Sequence, residues 1–375
     1  MQVDRMQRGP NAADPSPRSA DPLPALGPDV TVGDLGEAAL IDRIRHLVPP
    51  APDWVTTGIG DDAAVVEPAR GALDVVTTDT LVEGVHFERS FVPAANLGHK
   101  TLAVNLSDLA AMGATPRIAL LSLVLPESMA ARDVDRLVDG MLVLADRYHV
   151  ALVGGNITRS SGPLVLGVTA IGSVRRRRVL TRTGGRPGDQ LWVTGTLGGA
   201  AAGLACLRQD PVGLAAADAD LTGCVERYRR PDPRVRVGTL LGRNRAARAA
   251  IDLSDGLGDG LRQLARASGV GAAIDGAALP IDPGARRWFD RHGIDPLDAA
   301  VSGGDDYELL VAVPRSHRRR FAAVSRLARG VPITRIGELT ADTALVLRTG
   351  DSERALPEGY EHFSDQKALR PQATP

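Results

Sequence analysis

Four short acidic motifs hold most of the chemistry in this sequence: Gly60-Asp61-Asp62-Ala63-Ala64, Thr77-Thr78-Asp79-Thr80, Asp252-Leu253-Ser254-Asp255-Gly256 and Gly303-Gly304-Asp305-Asp306. Each sets carboxylates at the end of an expected strand. In an open α/β sheet the strand ends border the ligand crevice, and carboxylates there are natural ligands for Mg²⁺ bridging phosphate oxygens. One such motif alone reads equally as a turn or helix cap, because Asp and Gly favour both. Four together, with Asp108, point to metal-dependent phosphate chemistry. Asp108 and Asn105 form a polar i, i+3 pair on a helix otherwise lined by Leu102, Leu106, Leu109 and Met112, and such a pair needs a partner.

Two glycine-rich stretches have backbone N–H groups suited to phosphate: Gly154-Gly155-Asn156, read as a turn after a strand, and Gly195-Thr196-Leu197-Gly198-Gly199 at a helix start. Glycine serves tight turns and close packing equally well. A P-loop is excluded, because the only lysines, Lys100 and Lys367, do not follow glycine in the required string. The protein-kinase signatures and the GxSxG nucleophile motif are also missing. If the chain is a phosphoryl-transfer enzyme, it must therefore hold nucleotide through metal, backbone and arginine.

The elements that position these groups follow from periodicity. A mobile tail is expected over 1–33, then a helix opened by an Asp34/Glu37 capping box with Leu35, Ala38, Ile41, Ile44 and Val48 on one face. Strands are expected over 73–78, 118–125, 150–153 and 164–174, and helices over 98–112 and 131–148. This makes a first α/β domain, 34–174. Apolar periodicity lapses over 175–188 and resumes at Leu191, so a second domain is placed at 175–365 and a tail at 366–375. That second domain is expected to hold strands over 191–194, into Ile251 and over 308–313, with helices after Gly199 and over 258–267.

Composition fits this layout. The chain has 375 residues, enough for two cores; with aromatics at 3%, those cores must be built from aliphatic residues, as in α/β layers. Net charge is −1 with interspersed signs, which argues against nucleic acid or an anionic membrane as partner. The arginine run 175–178 reads as a solvated connection, since no aromatic platform accompanies it. Two cysteines without a CxxC pattern indicate neither a disulfide scaffold nor a zinc site. With no membrane-length apolar run and no signal-peptide pattern, a cytoplasmic location is expected.

Beyond these local readings, several motifs taken together resemble thiamine-monophosphate kinase. They are Gly58-Ile59-Gly60-Asp61-Asp62-Ala63-Ala64, Thr78-Asp79-Thr80-Leu81-Val82-Glu83-Gly84-Val85-His86-Phe87, Asn105-Leu106-Ser107-Asp108-Leu109-Ala110-Ala111-Met112-Gly113-Ala114, Ile251-Asp252-Leu253-Ser254-Asp255-Gly256-Leu257, Ser302-Gly303-Gly304-Asp305-Asp306-Tyr307-Glu308-Leu309 and Gly359-Tyr360-Glu361-His362-Phe363. Single motifs are shared with the wider superfamily of aminoimidazole ribonucleotide synthetase and selenophosphate synthetase. The Gly84-Val85-His86-Phe87 segment favours the thiamine branch.

The resemblance implies a two-domain α/β fold of the aminoimidazole ribonucleotide synthetase type and a homodimer whose N-terminal sheets join. It implies ATP as co-substrate and several Mg²⁺ ions. Matched position by position, it assigns metal binding to Asp62, Thr78, Asp79, Asp108, Asp252 and Asp255, and nucleotide contacts to Gly155, Asn156, Arg182 and Ser254. His86, Asp305 and Tyr360 match thiamine-phosphate contacts, and Asp252, Asp255 and Arg182 the catalytic set. Two positions depart from the family pattern: Asn156 stands where an acid is usual, and Asp305 replaces a glutamate. The implied reaction is in-line transfer of the ATP γ-phosphoryl to thiamine monophosphate, an acceptor already anionic that needs no general base. Two alternatives remain open at this point. One is a sister ATP-using synthetase, with the selenium version disfavoured by the lack of a cysteine near the N-terminal glycine motifs. The other is a degenerate nucleotide-binding scaffold.

Overall fold

The structure is a computed structural model that describes residues 23–210, 218–357 and 359. The first helix, α1 (Val32–Leu47), starts earlier than the sequence suggests. Its N-cap is Thr31: the Thr31 N–H donates to Asp34 at 2.9 Å and Asp34 N–H donates back to Thr31 Oγ1 at 3.2 Å, so Asp34 closes the capping box instead of opening it. Gly36, at φ 74°, then kinks the helix. The kink shifts the buried face to Leu40 and Ile44 and leaves Ala38 exposed. Of the expected tail, residues 1–22 lie outside the described residues, as does the C-terminal tail, whereas 23–31 are tied to the first unit: Arg43 Nη1 donates to the Pro24 carbonyl at 3.1 Å and Ala131 N–H to the Val30 carbonyl at 2.9 Å.

A short ribbon of β1 (Val55–Thr57) and β2 (Val65–Val66) carries the loop with Asp61 and Asp62. Then follow β3 (Leu73–Val82), α2 (Ala94–Ala111), β4 (Thr115–Pro126), α3 (Ala131–Tyr148), β5 (Ala151–Ser160) and β6 (Val165–Val174). These strands form one sheet in the order β3-β6-β4-β5, antiparallel except for the β4/β5 pair. Residues 154–156 lie inside β5 and not in a turn. Gly155 is demanded there by packing, since a Cβ would stand 1.8 Å from the Leu121 carbonyl oxygen of β4. Helices α2 and α3 cover one face of the sheet. On the other face, Val76 is 62% exposed and Thr78 and Thr80 of the same strand stand open.

A 3₁₀ turn at Arg176–Arg178 leads to the second unit. It comprises β7 (Gln190–Thr194), α4 (Gly199–Gln209), α5 (Ala219–Arg229), α6 (Val235–Asn244), β8 (Ala249–Asp252), α7 (Leu257–Ser268), β9 (Gly271–Asp275), α8 (Pro283–Arg291), α9 (Pro296–Ser302), β10 (Leu309–Val313), α10 (Arg318–Leu327), β11 (Ile333–Thr340), β12 (Leu345–Thr349) and β13 (Ser352–Ala355). The sheet order is β13-β12-β9-β11-β7-β10-β8, with β12/β9 the parallel pair. Leu191, Val193, Leu310 and Ala312 pack with α7 on one face. The opposite face, with Leu309 and Val311, belongs to a core that continues into α2 and the first sheet. The two units are thereby joined along α2, the helix that carries Asp108. Among the described residues no helix is long and apolar enough to cross a membrane.

Candidate active site

Strand alternation decides which groups of β3 face the seam between the units. Thr77 and Asp79 lie on the half-buried side with α2, and Thr77 Oγ1 donates to the Asp108 carboxylate. Thr78 faces the other way, its hydroxyl bonded to the Val168 carbonyl and to Thr169 Oγ1, both at 3.2 Å. From α2, Ser107 Oγ reaches across to Asp252 Oδ2 at the end of β8, 2.8 Å away. Ser254 Oγ donates to Asp255 Oδ2 at 3.0 Å in the loop that follows.

These acids feel one another. Burial, then the charges of Asp108 and Asp255, push Asp79 up to about 6. Asp108 is raised by burial, against the opposing hydrogen bond from Thr77 and the charge of Arg182. Asp252 is raised by burial and by Asp108 and Asp79, while the Ser107 hydroxyl and Arg182 oppose the rise. Asp79, Asp108, Asp252 and Asp255 thus form one electrostatic unit beside Arg182. Four crowded carboxylates are the hard oxygen donor set that a divalent cation takes, and their mutual repulsion is what such an ion would relieve. As the side chains stand, no group of three or more potential ligands among the described residues is closed tightly enough to hold an ion.

The other residues expected at the metal and nucleotide sites are distributed differently. Asp62 is exposed in the β1–β2 loop, its N–H turned to Asp61 Oδ1 at 2.8 Å, and it makes no hydrogen bond or ion pair to the four acids. Gly155 and Asn156 lie on β5, the sheet edge opposite β3, about 14 Å away at the usual strand spacing. Ser254 and Arg182 belong to the acidic seam; Arg182 Nη1 donates to Gln263 Oε1 at 2.5 Å, and Gln263 in turn to Asp259.

Asp305 stands beside this seam. The segment 303–308 runs along 252–256: Asp305 N–H donates to the Ser254 carbonyl at 2.6 Å, Tyr307 N–H to Leu253 at 2.9 Å, and Leu253 N–H to Glu308 at 2.8 Å. These bonds hold two non-glycine residues, Asp305 (φ 68°) and Tyr307 (φ 50°), in the left-handed region, a strain typical of functional segments. The Asp305 carboxylate accepts from Lys100 Nζ at 3.0 Å and from Tyr307 OH at 3.1 Å. Lys100 Nζ sits 3.9 Å above the Tyr228 ring, and Tyr228 OH donates to the His86 carbonyl at 3.4 Å. His86 and Asp305 are therefore brought together through Tyr228 and Lys100. Tyr360 lies outside the described residues; a Cβ on its neighbour Gly359 would stand 2.5 Å from the Asp255 carbonyl.

Comparison with known proteins settles the family. Residues 60–174 match the AIR synthase related protein N-terminal domain and residues 186–350 its C-terminal domain. The thiamine-monophosphate kinase of Escherichia coli K12 is 41% identical over 335 residues, covering 88% of this chain and 98% of that protein. The chain belongs to the thiamine-monophosphate kinase family. A crystal structure of thiamine-monophosphate kinase from Stenotrophomonas maltophilia K279a superposes with a TM-score of 0.74 at 42% identity, covering 82% of this chain and 95% of that one. AaThiL complexed with AMPPCP and TMP gives a TM-score of 0.70 at 33% identity, covering 88% and 98%.

In this thiamine-monophosphate kinase family member, three groups escape sequence reasoning. Lys100 enters the sequence argument only as evidence against a P-loop, yet it is sealed in α2 and paired with Asp305; a lone lysine amid apolar helix residues was the available signal. Thr77 and Ser107 give hydroxyls to Asp108 and Asp252, as Ser254 does to Asp255, while the Thr78 hydroxyl bonds to Val168 and Thr169. The glycine turn before α4 is not free for phosphate: Asp306 already accepts from Gly198 N–H at 2.7 Å and Ala200 N–H at 3.3 Å. Beneath it, fully buried Glu308 is held by Arg234 at 2.5 Å, Arg227 at 3.2 Å and the Thr194 hydroxyl at 2.7 Å.

Proposed function

We propose that the acidic seam transfers the γ-phosphoryl group of ATP to thiamine monophosphate, giving ADP and thiamine diphosphate. The observation that carries the reading is the convergence of Asp79 and Asp108 from the first unit with Asp252 and Asp255 from the second, beside Arg182. Family membership, and the presence of AMPPCP and TMP on a relative at 33% identity, support it. Mg²⁺ bound by these carboxylates supplies neutralisation of the charge on the phosphate oxygens. The Ser107 hydroxyl favours the ionised form of Asp252 against the rise that burial sets, and the Thr77 hydroxyl does the same for Asp108. Arg182 offers a guanidinium to the transferring group, and Ser254 a hydroxyl to nucleotide. Asp62 and Asn156 serve from the β5 side, where an amide oxygen replaces the usual carboxylate. Gly155 keeps that strand close enough to β4 for its backbone to approach phosphate.

On the acceptor side, His86 and Asp305 take the thiamine phosphate, with the Asp305 carboxylate facing the cationic thiazolium. The acceptor phosphate is anionic, so alignment and charge neutralisation suffice without a general base. We place the enzyme in the cytoplasm, where ATP is available, as a homodimer joined through its first sheets. The open sheet face bearing Val76, Thr78 and Thr80 supports that pairing.

The reading is tested by ADP release from ATP and Mg²⁺ with thiamine monophosphate, free thiamine or aminoimidazole precursors as acceptors. Turnover stimulated by thiamine monophosphate alone, and lost in Asp252→Asn, is expected. Stimulation by another acceptor would transfer the site to a sister reaction, and nucleotide binding without acceptor-dependent turnover would leave a scaffold.

A further inference from the structure

The second sheet has a concavity at the end remote from the phosphate site. Val313 pairs with Gln190 there, whereas Leu309 on the same strand pairs with Asp252. About 13 Å of strand separates the two ends. The cavity, about 630 Å³, lies between α10 and the outer ends of β7, β10 and β11. That is the volume of an ordinary small-molecule site.

Its floor is apolar and aromatic. Trp192, Phe321 and Val313 line it, with the Trp192 and Phe321 rings 4.8 Å apart and tilted by 50°. Its rim has one sign of charge: Arg315, Arg318, Arg326 and Arg335 all line it, and no lining residue is acidic. Glu338 is shared by Arg315 at 3.3 Å and Arg335 at 3.6 Å. Arg318 and Arg326, both on α10, have no ion-pair partner among the described residues. The Trp192 Nε1–H is shut off from solvent and finds no acceptor either.

Exposed arginines on a helix are commonly just solvated, and a shallow apolar dip is commonly just uneven packing. Neither reading accounts for both together, a half-buried Trp192 ring backed by Phe321 beneath two unpaired guanidiniums, with an indole N–H that has no acceptor. A flat apolar ring fits the floor, and a planar fork of N–H donors fits an oxyanion at the rim. We propose that this cavity is a second small-molecule site, for an aromatic ring bearing a carboxylate or phosphate. It is independent of the phosphoryl-transfer site and of what that site acts on.

The test is isothermal titration of the full chain with 2-naphthoate and with phenyl phosphate, beside neutral 2-naphthol and inorganic phosphate. At least one aromatic anion should bind one site saturably, with Kd below about 1 mM. The neutral ring and the bare anion should each bind about tenfold more weakly, because each lacks one half of the recognition. Which anion binds more tightly separates the carboxylate from the phosphate source. Arg318→Gln/Arg326→Gln should weaken binding about tenfold, and Ala322→Trp, which fills the cavity from α10, should abolish it. Thermal unfolding midpoints confirm that both variants fold. Trp192 emission should change on binding in a Trp54→Phe/Trp288→Phe background. The proposal is overturned by absence of saturable binding, by equal binding of 2-naphthol, or by binding that survives both cavity variants. It is equally overturned if binding is lost instead in Arg175→Gln/Arg177→Gln, since those side chains line a separate arginine cluster with Arg243 and Arg245.

Discussion

Lys100 on α2 and Asp305 ahead of β10 form an ion pair of 3.0 Å across the seam, and the two ends are unequally buried: side-chain exposure is 1% for the lysine and 31% for the aspartate. Only one of the two can turn to water when its partner is removed.

The first prediction follows from that asymmetry. Asp305→Ala strands the sealed ammonium and should destabilise by about 3–5 kcal/mol, the usual result of breaking a buried pair. Lys100→Met leaves a carboxylate that water reaches, and should cost about 1 kcal/mol. Urea unfolding of both variants decides it, and equal losses would contradict the argument.

Asp252→Asn should separate activity from stability. Amidation removes a charge that burial, Asp108 and Asp79 all disfavour. The melting temperature of the metal-free variant should therefore equal or exceed the parent's, while ATP-dependent turnover falls at least about 100-fold through loss of transition-state charge stabilisation. A variant that is both inactive and less thermostable would make Asp252 a structural residue.

Mg²⁺ binding should compete with protons near neutrality. With Asp79 raised from 3.8 to about 6, the ion must displace a proton below that pH, so affinity should fall by up to about tenfold per pH unit below about 6. In the metal-free protein the same shift means that the folded chain holds a proton the unfolded chain has released. The Asp79 contribution to stability should therefore decline as pH rises from 3.8 to about 6 and stay lost above it. Calorimetric Mg²⁺ titrations at pH 5 and pH 7.5 with equal affinities would rule this out.

Gly155→Ala should cost about 1–3 kcal/mol, because the added methyl meets the Leu121 carbonyl of β4. Asn156→Asp, one residue on and exposed, should change stability by less than about 0.5 kcal/mol and tighten Mg²⁺ binding. Thermal unfolding and Mg²⁺ titration of the two neighbours separate packing from ligation; a neutral Gly155→Ala would return that glycine to a purely phosphate-binding role.

The family was legible because its motifs are local strings: Asp252 to Gly256 and Asn105 to Ala114 need no tertiary information to be read. Element types were legible for the same reason, as with the 131–148 helix, whose apolar period matches α3. The glycines were not. Gly155 looked like a phosphate turn and is a strand residue under a carbonyl, since nothing in a tripeptide says which strand will pass beside it. The resemblance assigns Thr78 and Asp79 alike to metal, and a linear motif does not say that the pleat sends adjacent side chains to opposite faces, with the Thr78 hydroxyl on Val168 and Thr169.

The sequence by itself determined the chemistry available: four aspartate motifs and two lysines, neither in a P-loop string, which point to phosphate handling by carboxylates and arginine. Only the tertiary structure decided which of those groups share a site. It set Ser107 on Asp252, Thr77 on Asp108 and Lys100 on Asp305, at separations of 145, 31 and 205 residues along the chain. It also filled the glycine turn before α4 with Asp306. The physical reason is range: capping and alternation act over a few residues and are written locally. A buried charge is satisfied by whatever the packing of α2 against β3 and β8 brings within about 3 Å, and that is a property of the assembled core.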